Sequence, residues 1–320
     1  MKINVLMKLL AGGEVISGAA LASELGVSRT AVWKQVRRAI DRGYQIETVR
    51  GRGYRLAESI DLLDRDAILS GLPDSFRGRI SLQVEDSVDS TNAEVSRRFA
   101  EGEGAVIVSL ADAQTAGRGR RGRSWQSPQG KNLYLSLGLS LSGGFSALDG
   151  FSLVVGVAVV EALSSLGVRD LSLKWPNDIL HLGHKLGGIL IELQGELEGA
   201  ARIVAGLGLN VHMTEAPGVD QDWTSLALID PTTPWQRNHL GSLLSASIIS
   251  AFDEFSRHGF SAFRERWQRW DAFAGNALRT THGDYHGIGR GIDDAGNYLV
   301  ETSGGIECVR AGEISFRVMV

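Results

Sequence analysis

One cysteine, Cys308, stands in 320 residues, which excludes a disulfide framework and any metal site built from several cysteines, and fits a reducing compartment. Long hydrophobic runs are missing as well. The longest, Phe151 to Val160, stops at Glu161 and is too short to span a bilayer. At the start, MKINVLMKLLAGG, Lys2 precedes an apolar stretch as in a signal peptide. Lys8 interrupts that stretch and Glu14 follows it, so a short amphipathic helix is the better reading. These absences predict a non-secreted, cytoplasmic chain without membrane contact. No G-x-x-x-x-G-K-[ST], H-E-x-x-H, EF-hand loop or G-x-S-x-G occurs, and the seven histidines show no metal-ligand pairing. A P-loop kinase, a zinc protease and a serine hydrolase each lack their central motif, and no protein-built metal site is expected.

What is present suffices for two or three domains: 43% hydrophobic and 22% charged residues, enough for real cores and too balanced for disorder. The net charge of −4 hides an asymmetry. Residues 1–57 hold ten Lys/Arg against four Asp/Glu, a net of +6, whereas the remainder carries 23 basic and 33 acidic residues, a net of −10. A basic head on an acidic body is the footprint of a nucleic-acid-binding module joined to something else.

In the head, Ser17 can cap a helix with Ala20, Leu21 and Leu25 on one face, which Gly26 ends. Ser28 caps a second helix to about Arg42, with Val32, Val36, Ala39 and Ile40 inward and Arg29, Thr30, Trp33, Lys34, Arg37 and Arg38 outward. Two alternating segments, Tyr44–Val49 and Gly53–Leu56, follow with Arg50-Gly51-Arg52 between them, a β-hairpin wing. A basic helix face alone is usually only solvated. On the second helix of a helix-turn-helix it is the face that enters the major groove, and a wing arginine such as Arg52 can reach phosphate. Trp33 is unusual where a small polar residue would read bases: it could stack on DNA or cover another helix.

From Glu58 to about Pro73 a linker with a short helix is expected. Beyond it, Gly183-His184 reads as a hairpin turn between Asp178–Leu182 and Lys185–Leu193, and residues 195–199 turn the chain back into Ala201–Val211. Consecutive hairpins mean a mixed or antiparallel sheet. Four stretches in this body carry possible chemistry. Ser90-Thr91-Asn92 precedes a helical stretch, Ala93–Ala100; Thr91-x-x-Glu94 is a capping box, which alone accounts for it, though hydroxyls and an amide beside free N–H groups could hold a polar ring or an anion. Gly117-Arg118-Gly119-Arg120-Arg121-Gly122 matches G-x-G-x-x-G, but the following RSWQSPQG cannot open a helix, so the dinucleotide reading fails. Four arginines on a glycine-rich loop suit phosphate, the alternatives being a solvated basic loop or a second nucleic-acid patch. Lys174-Trp175-Pro176-Asn177-Asp178 is at least a turn, and the flanking Lys174 and Asp178 would suit phosphate and a reacting amine. Lys185-Leu186-Gly187-Gly188-Ile189-Leu190-Ile191-Glu192 puts a lysine at the head of an apolar strand, with glycines permitting close approach; Gly206-x-Gly208-x-Asn210 repeats that theme.

Taken in order, Ser90-Thr91-Asn92, Gln114 with GRGRRG, KWPND and KLGGILIE closely resemble the segments of the biotin protein ligase family. The basic winged helix is similar to that of its bifunctional ligase–repressor form. GRGIDDAGNYLV (Gly289–Val300) and Gly312-Glu313-Ile314 resemble its C-terminal β-barrel. The resemblance covers nearly the whole chain and is thinnest from 215 to 268. It implies an α+β multidomain fold: a winged helix-turn-helix over 1–60, a class II synthetase-like mixed sheet with helices over 61–272, and a small SH3-like β-barrel over 273–320.

The same resemblance implies a two-step reaction. ATP activates biotin to biotinoyl-5′-AMP with release of pyrophosphate, and a lysine of the biotin carboxyl carrier protein of acetyl-CoA carboxylase then takes the biotinoyl group. It gives Arg118, Arg120 and Lys185 the task of neutralising the joining anions, with Lys185 and Arg120 catalytic; Asp178 is the further candidate to accept the proton of the incoming amine. Biotin would be held by Ser90, Thr91, Asn92, Gln114, Arg118, Gly119, Arg120 and Lys185, and the adenylate by Arg118, Arg120, Arg121, Trp125, Asn177 and Asn210. Operator DNA would meet Ser28, Arg29, Thr30, Trp33, Lys34, Arg37 and Arg52. Mg²⁺ would arrive on the ATP phosphates, and the adenylate would act as corepressor and favour a homodimer. Two rivals stand beside this reading: a lipoate or octanoate ligase of the same fold, and a ligand-sensing transcription factor without catalysis.

Overall fold

The computed structural model describes residues 3–57, 60–104, 106–142, 148–194, 200–280, 286–311 and 316–318. Its basic head is three helices and a hairpin: α1 (Ile3–Leu10), α2 (Gly18–Glu24), α3 (Arg29–Asp41), β1 (Ile46–Val49) and β2 (Gly53–Leu56). The cap residues act as their chemistry demands. Ser17 and Ser28 each accept a hydrogen bond from the N–H three residues on, Ala20 at 3.1 Å and Ala31 at 3.2 Å. Gly26 and Gly43 end the helices with φ of +63° and +96°. Leu6, Met7, Leu10, Leu21, Val32, Val36, Ala39 and Tyr44 form the head's core. Two predicted inward residues face outward instead: Ala20 is exposed, and Ile40 is 36% exposed. On each helix the larger or better-placed neighbour, Leu21 or Ala39, lies about 100° round the axis and takes the buried position.

Asp64 caps α4 (Arg65–Gly71) in the connection, and α5 (Asp74–Arg77) follows. The body then builds a seven-stranded sheet from β3 (Ile80–Glu85), β4 (Val106–Ala111), β5 (Leu133–Ser142), β6 (Leu171–Lys174), β7 (Asp178–His181), β8 (His184–Gln194) and β9 (Ala200–Leu209), in the order β3-β4-β5-β9-β8-β7-β6. Only β3 and β4 pair in parallel, joined by the crossover helix α6 (Thr91–Ala100); the other neighbours are antiparallel. The hairpin between β7 and β8 turns at Leu182-Gly183, one residue earlier than the sequence suggested. His181 pairs with His184, and the two turn residues have φ of 48° and 83°, the positive pair that a tight antiparallel turn requires. The turn expected over 195–199 lies outside the described residues.

Alternation along β5 and β9 divides the sheet's two faces. Leu133, Leu135, Leu137, Leu139, Ile203, Ala205, Leu207 and Leu209 are buried toward α7 (Phe151–Ser165) and α9 (Arg237–His258), with α8 (Leu226–Ile229) and α10 (Ser261–Gln268) completing the helical set. Helix α7 is apolar around most of its circumference because it is sandwiched between the sheet and α9. On the opposite face α6 packs Val95 and Phe99 against Ile107 of β4 and Val204 of β9. The small residues Gly188, Gly206 and Gly208 leave the rest of that face open to side chains from loops.

A five-stranded antiparallel sheet closes the chain: β10 (Ala277–Thr280), β11 (His286–Ile292), β12 (Tyr298–Thr302), β13 (Gly305–Val309) and β14 (Phe316–Val318), in the order β13-β12-β11-β10-β14. GRGIDDAGNYLV supplies the end of β11, its turn and part of β12, whereas Gly312-Glu313-Ile314 lies outside the described residues. Aromatic packing fastens this sheet to the body. Tyr298 meets Trp175, Trp267, Phe273 and Phe316 with centroids 5.8 to 6.3 Å apart, and Trp175 Nε1 donates to Gly296 O at 3.0 Å.

Asp271 sits at that junction, accepting from Tyr298 Oη at 2.8 Å and from Phe273 N at 2.9 Å. Burial outweighs these bonds and pushes its carboxyl up from 3.8 to about 6. Because the folded value is raised, its contribution to stability is fully present below the unfolded value near 3.8 and is lost as pH rises through about 6. Asp271→Asn is therefore expected to gain stability relative to the parent between pH 4 and 7, by about 3 kcal/mol from the size of the shift. Thermal melts of both proteins across that range check this; a constant difference would contradict it.

Candidate active site

The open face of the sheet gathers most of the residues singled out by sequence into two adjoining clusters. The first is polar and buried. Ser90, not Thr91, is the N-cap of α6, with extended backbone and no side-chain cap bond. The expected capping box is absent because a tertiary partner replaces it: Gln114 Oε1 accepts from the Thr91 backbone N–H at 2.9 Å and from its hydroxyl at 3.2 Å. Asn92 donates to Glu192 Oε2 at 2.7 Å, and Ser136 Oγ lies 2.6 Å from Asn92 Oδ1 and 2.7 Å from Thr91 Oγ1. Ser90, Thr91, Asn92 and Ser136 are all at most 5% exposed. Gly206 is what lets Asn92 lie flat on β9, since any Cβ there would collide with its side-chain amide. Gln114 Nε2 extends the network to Ser127 Oγ at 3.0 Å.

The second cluster is charged. Lys185, at the head of β8, pairs with Asp178 of β7 at 2.8 Å, both side chains less than 20% exposed. The indole of Trp125 lies over Gly208, whose Cβ would stand only 2.5 Å from the ring, and over Gly188; Lys185 Nζ is 5.4 Å from the Trp125 ring centroid. Trp125 Nε1 is buried with no partner, a donor that an arriving acceptor would satisfy. Asn177 locks the KWPND turn to β8 by donating to Ile189 O at 3.0 Å, and its own carbonyl accepts from Arg120 at 3.0 Å.

The arginine loop folds over both clusters as a narrow flap. Gly119 N donates to Arg123 O at 2.7 Å, and Trp125 N donates to Gly117 O at 2.9 Å. Gly117 must be a glycine: a Cβ would stand 2.6 Å from both Ser127 Oγ and Trp125 O. Arg118 reaches Glu192 Oε1 at 3.2 Å and so touches the polar cluster, while Arg120 joins the charged one. Arg121, at φ 58°, turns outward on the exposed rim. Burial lowers the pKa of Arg120, and Arg121 and Arg123 add to that; Asp178 opposes it.

Asn210 is the predicted site residue whose donor is already engaged away from these clusters. Its amide donates to Thr224 O at 2.9 Å and Lys185 O at 3.4 Å, tying the 222–226 segment against β8. Sequence reasoning passed over two participants, Ser136 and Arg317. Ser136 is legible in the alternation of LYLSLGLSLS, which puts it opposite the leucines. Lys174, read from sequence as a cation flanking the turn that would suit phosphate, stands beside the charged cluster. Burial lowers its pKa, Asp178 opposes that, and Lys185, Arg317 and Arg123 lower it further. Arg317 belongs to β14, and no local signal announces a cation brought in from 143 residues along the chain.

The head presents its own candidate surface. Ser28, Arg29, Thr30, Trp33, Lys34 and Arg37 are exposed on or beside α3, and Arg52 is exposed at the hairpin tip. By contrast Arg55 is paired across the hairpin with Glu47 at 2.7 Å. The head meets the body through Tyr44, whose hydroxyl accepts from Gln129 Nε2 at 2.9 Å, four residues beyond Trp125.

Among the described residues no helix is long and apolar enough to cross a membrane, and no group of three or more His, Cys, Asp or Glu gathers as a metal site. The Biotin/lipoate A/B protein ligase family matches residues 84–210, an HTH domain matches 2–55 and the Biotin protein ligase C terminal domain matches 276–317. The chain is 40% identical to the bifunctional ligase/repressor BirA of Salmonella typhimurium over 98% of its own length and 96% of that protein. It is 39% identical to BirA of Escherichia coli over the same shares. The structure of biotin protein ligase from Aquifex aeolicus in complex with biotin and ATP superposes with a TM-score of 0.64 at 30% identity, covering 75% of this chain and 99% of that one.

Proposed function

This chain belongs to the biotin protein ligase family in its bifunctional ligase/repressor form, and on that premise we propose how its own residues perform the two roles. It is an ATP-dependent, AMP-forming biotin–[biotin carboxyl-carrier protein] ligase and a DNA-binding repressor of biotin synthesis genes. In the first step a biotin carboxylate oxygen attacks the α-phosphorus of ATP, the bond to the β-phosphate oxygen breaks, and pyrophosphate leaves. In the second the amine of a carrier lysine attacks the acyl carbon and AMP leaves.

The observation that carries this reading is the part-buried Lys185–Asp178 pair beneath Trp125, beside a network of hydroxyls and amides. Joining two anions requires cations held where charge builds up, and Lys185, Arg118 and Arg120 are so held. The ureido ring of biotin needs both donors and acceptors, which Ser90, Thr91, Asn92 and Gln114 supply without a net charge. The flap bearing Gly119, Arg120 and Arg121 covers the adenylate, Trp125 packs against its adenine side, and Asn177 keeps Arg120 aimed. Asn210 holds β8 in place from behind. Mg²⁺ would arrive on the ATP phosphates and offset their charge there.

Asp178 accepts the proton of the incoming lysine amine in this reading. Asp178→Asn is expected to slow transfer from preformed biotinoyl-AMP by at least about a hundredfold, the usual size of a general-base contribution. Single-turnover transfer at normal rate would assign Asp178 to holding Lys185 alone. Labelling of the biotin carboxyl carrier protein of acetyl-CoA carboxylase by purified protein, biotin and ATP tests the activity as a whole.

For repression, Ser28, Arg29, Thr30, Trp33, Lys34 and Arg37 face the major groove and Arg52 reaches the backbone of operator DNA. The adenylate is the corepressor: by ordering the flap it favours a homodimer, which aligns two heads on a two-fold operator. Analytical ultracentrifugation should show dimer affinity rising at least about tenfold with biotin plus ATP, the scale of common coupling free energies. Equal affinity with and without them would remove that link.

A further inference from the structure

Most large apolar side chains of the head are buried, but the indole of Trp33 stands 50% exposed on the flank of α3. Arg29, Trp33 and Arg37 follow one another at four-residue spacing along that flank, where the exposed side of the helix borders the buried stripe of Val32, Val36 and Ala39. Side chains on a helix lean toward its N-terminus, and Arg37 accordingly lies back over Trp33, its guanidinium 5.7 Å from the ring centroid. The stack fixes two otherwise mobile side chains before any partner arrives.

We propose that Trp33 and Arg37 form one base-reading unit, an apolar–cationic stack that selects duplexes presenting a thymine methyl beside a guanine. The inference rests on the DNA-binding reading of the head and adds what that head reads. The major groove offers a large apolar side chain one apolar feature, the C5 methyl of thymine, and offers a guanidinium its best fork acceptor in guanine O6 and N7. Residues four apart on a helix are separated by about 6 Å along its axis. Base steps are about 3.4 Å apart. The two side chains therefore address the same or neighbouring base pairs.

The test selects binders from a pool of random-sequence duplexes using the full-length protein with biotin, ATP and Mg²⁺, then replaces thymine by deoxyuracil in a recovered duplex. Recovered sequences are expected to share a thymine next to a guanine. Removing its methyl should weaken binding about fourfold, the equivalent of ~0.8 kcal/mol for one buried methyl. Trp33→Ala should bind the thymine and uracil duplexes equally, and Trp33→Phe should keep the difference; thermal melts establish that both variants fold. Recovered duplexes without that step, or a uracil duplex bound as tightly as its parent by the unaltered protein, would overturn the proposal and leave DNA binding intact. Recovery of no duplex would overturn both.

Discussion

Lys185→Met is expected to cut biotin-dependent pyrophosphate release by about 10²–10³-fold while the protein stays folded, the size typical of removing one group that stabilises developing negative charge. Methionine keeps the unbranched apolar stem of lysine as far as its Cε, so the packing of that stem on Gly188 and Trp125 survives. What vanishes is a cation held at 2.8 Å from Asp178 and aimed into the site from the start of β8. The abandoned carboxylate retains Lys174 and Arg120 in its neighbourhood, so loss of the fold is not expected. Adding Asp178→Asn should cost adenylation little more than Lys185→Met alone, because the two act as a unit. Pyrophosphate release within threefold of the parent would remove Lys185 from the chemistry.

Arg237→Met is expected to lower stability by about 3–5 kcal/mol, the cost of breaking a buried ion pair by deleting one partner. In a chain of this size that corresponds to roughly 4–8 °C in Tm. Arg237 is wholly buried at the start of α9 and donates to Asp112 Oδ1 at 2.6 Å, to Asn132 O at 3.1 Å and to the Asp61 carbonyl, while its backbone N–H is held by the Asp61 carboxylate. Asp112 is equally buried, and burial raises its pKa against the pull of Arg237. Without the guanidinium it must be protonated or pull in water. The same change releases the Asp61 carbonyl, in the connection between head and body, from the guanidinium. A double variant, Arg237→Met with Asp112→Leu, should recover part of the loss, since it removes the stranded acid along with its partner. A shift in Tm of less than about 3 °C for the single variant would show that the network is dispensable.

These two residues mark the limit of what the sequence discloses. Lys185 was legible because a lysine opening an apolar strand beside paired glycines is locally anomalous. Arg237 was not, because an arginine opening a long helix is ordinary; its partners lie at positions 61, 112 and 132, and nothing local brings them together. The head was read almost residue by residue, since caps, terminal glycines and the 3.6 period are local physics; it failed at Ala20 and Ile40, where a neighbour one position along took the buried place. Thr91-x-x-Glu94 shows the converse error. The capping box is a sound local rule, and Gln114 overrode it from across the sheet. The Leu182-Gly183 turn was displaced by one residue because pattern alone does not fix register. Arg317, carried in from the last strand, could be found only in three dimensions.

The most direct test of the ligase account is pyrophosphate release by the purified protein with ATP and Mg²⁺, offered biotin, lipoate or octanoate in separate reactions. Release with biotin alone is the predicted result. Release with lipoate or octanoate and none with biotin would keep the chemistry and overturn the substrate; silence with all three would contradict the adenylation site itself.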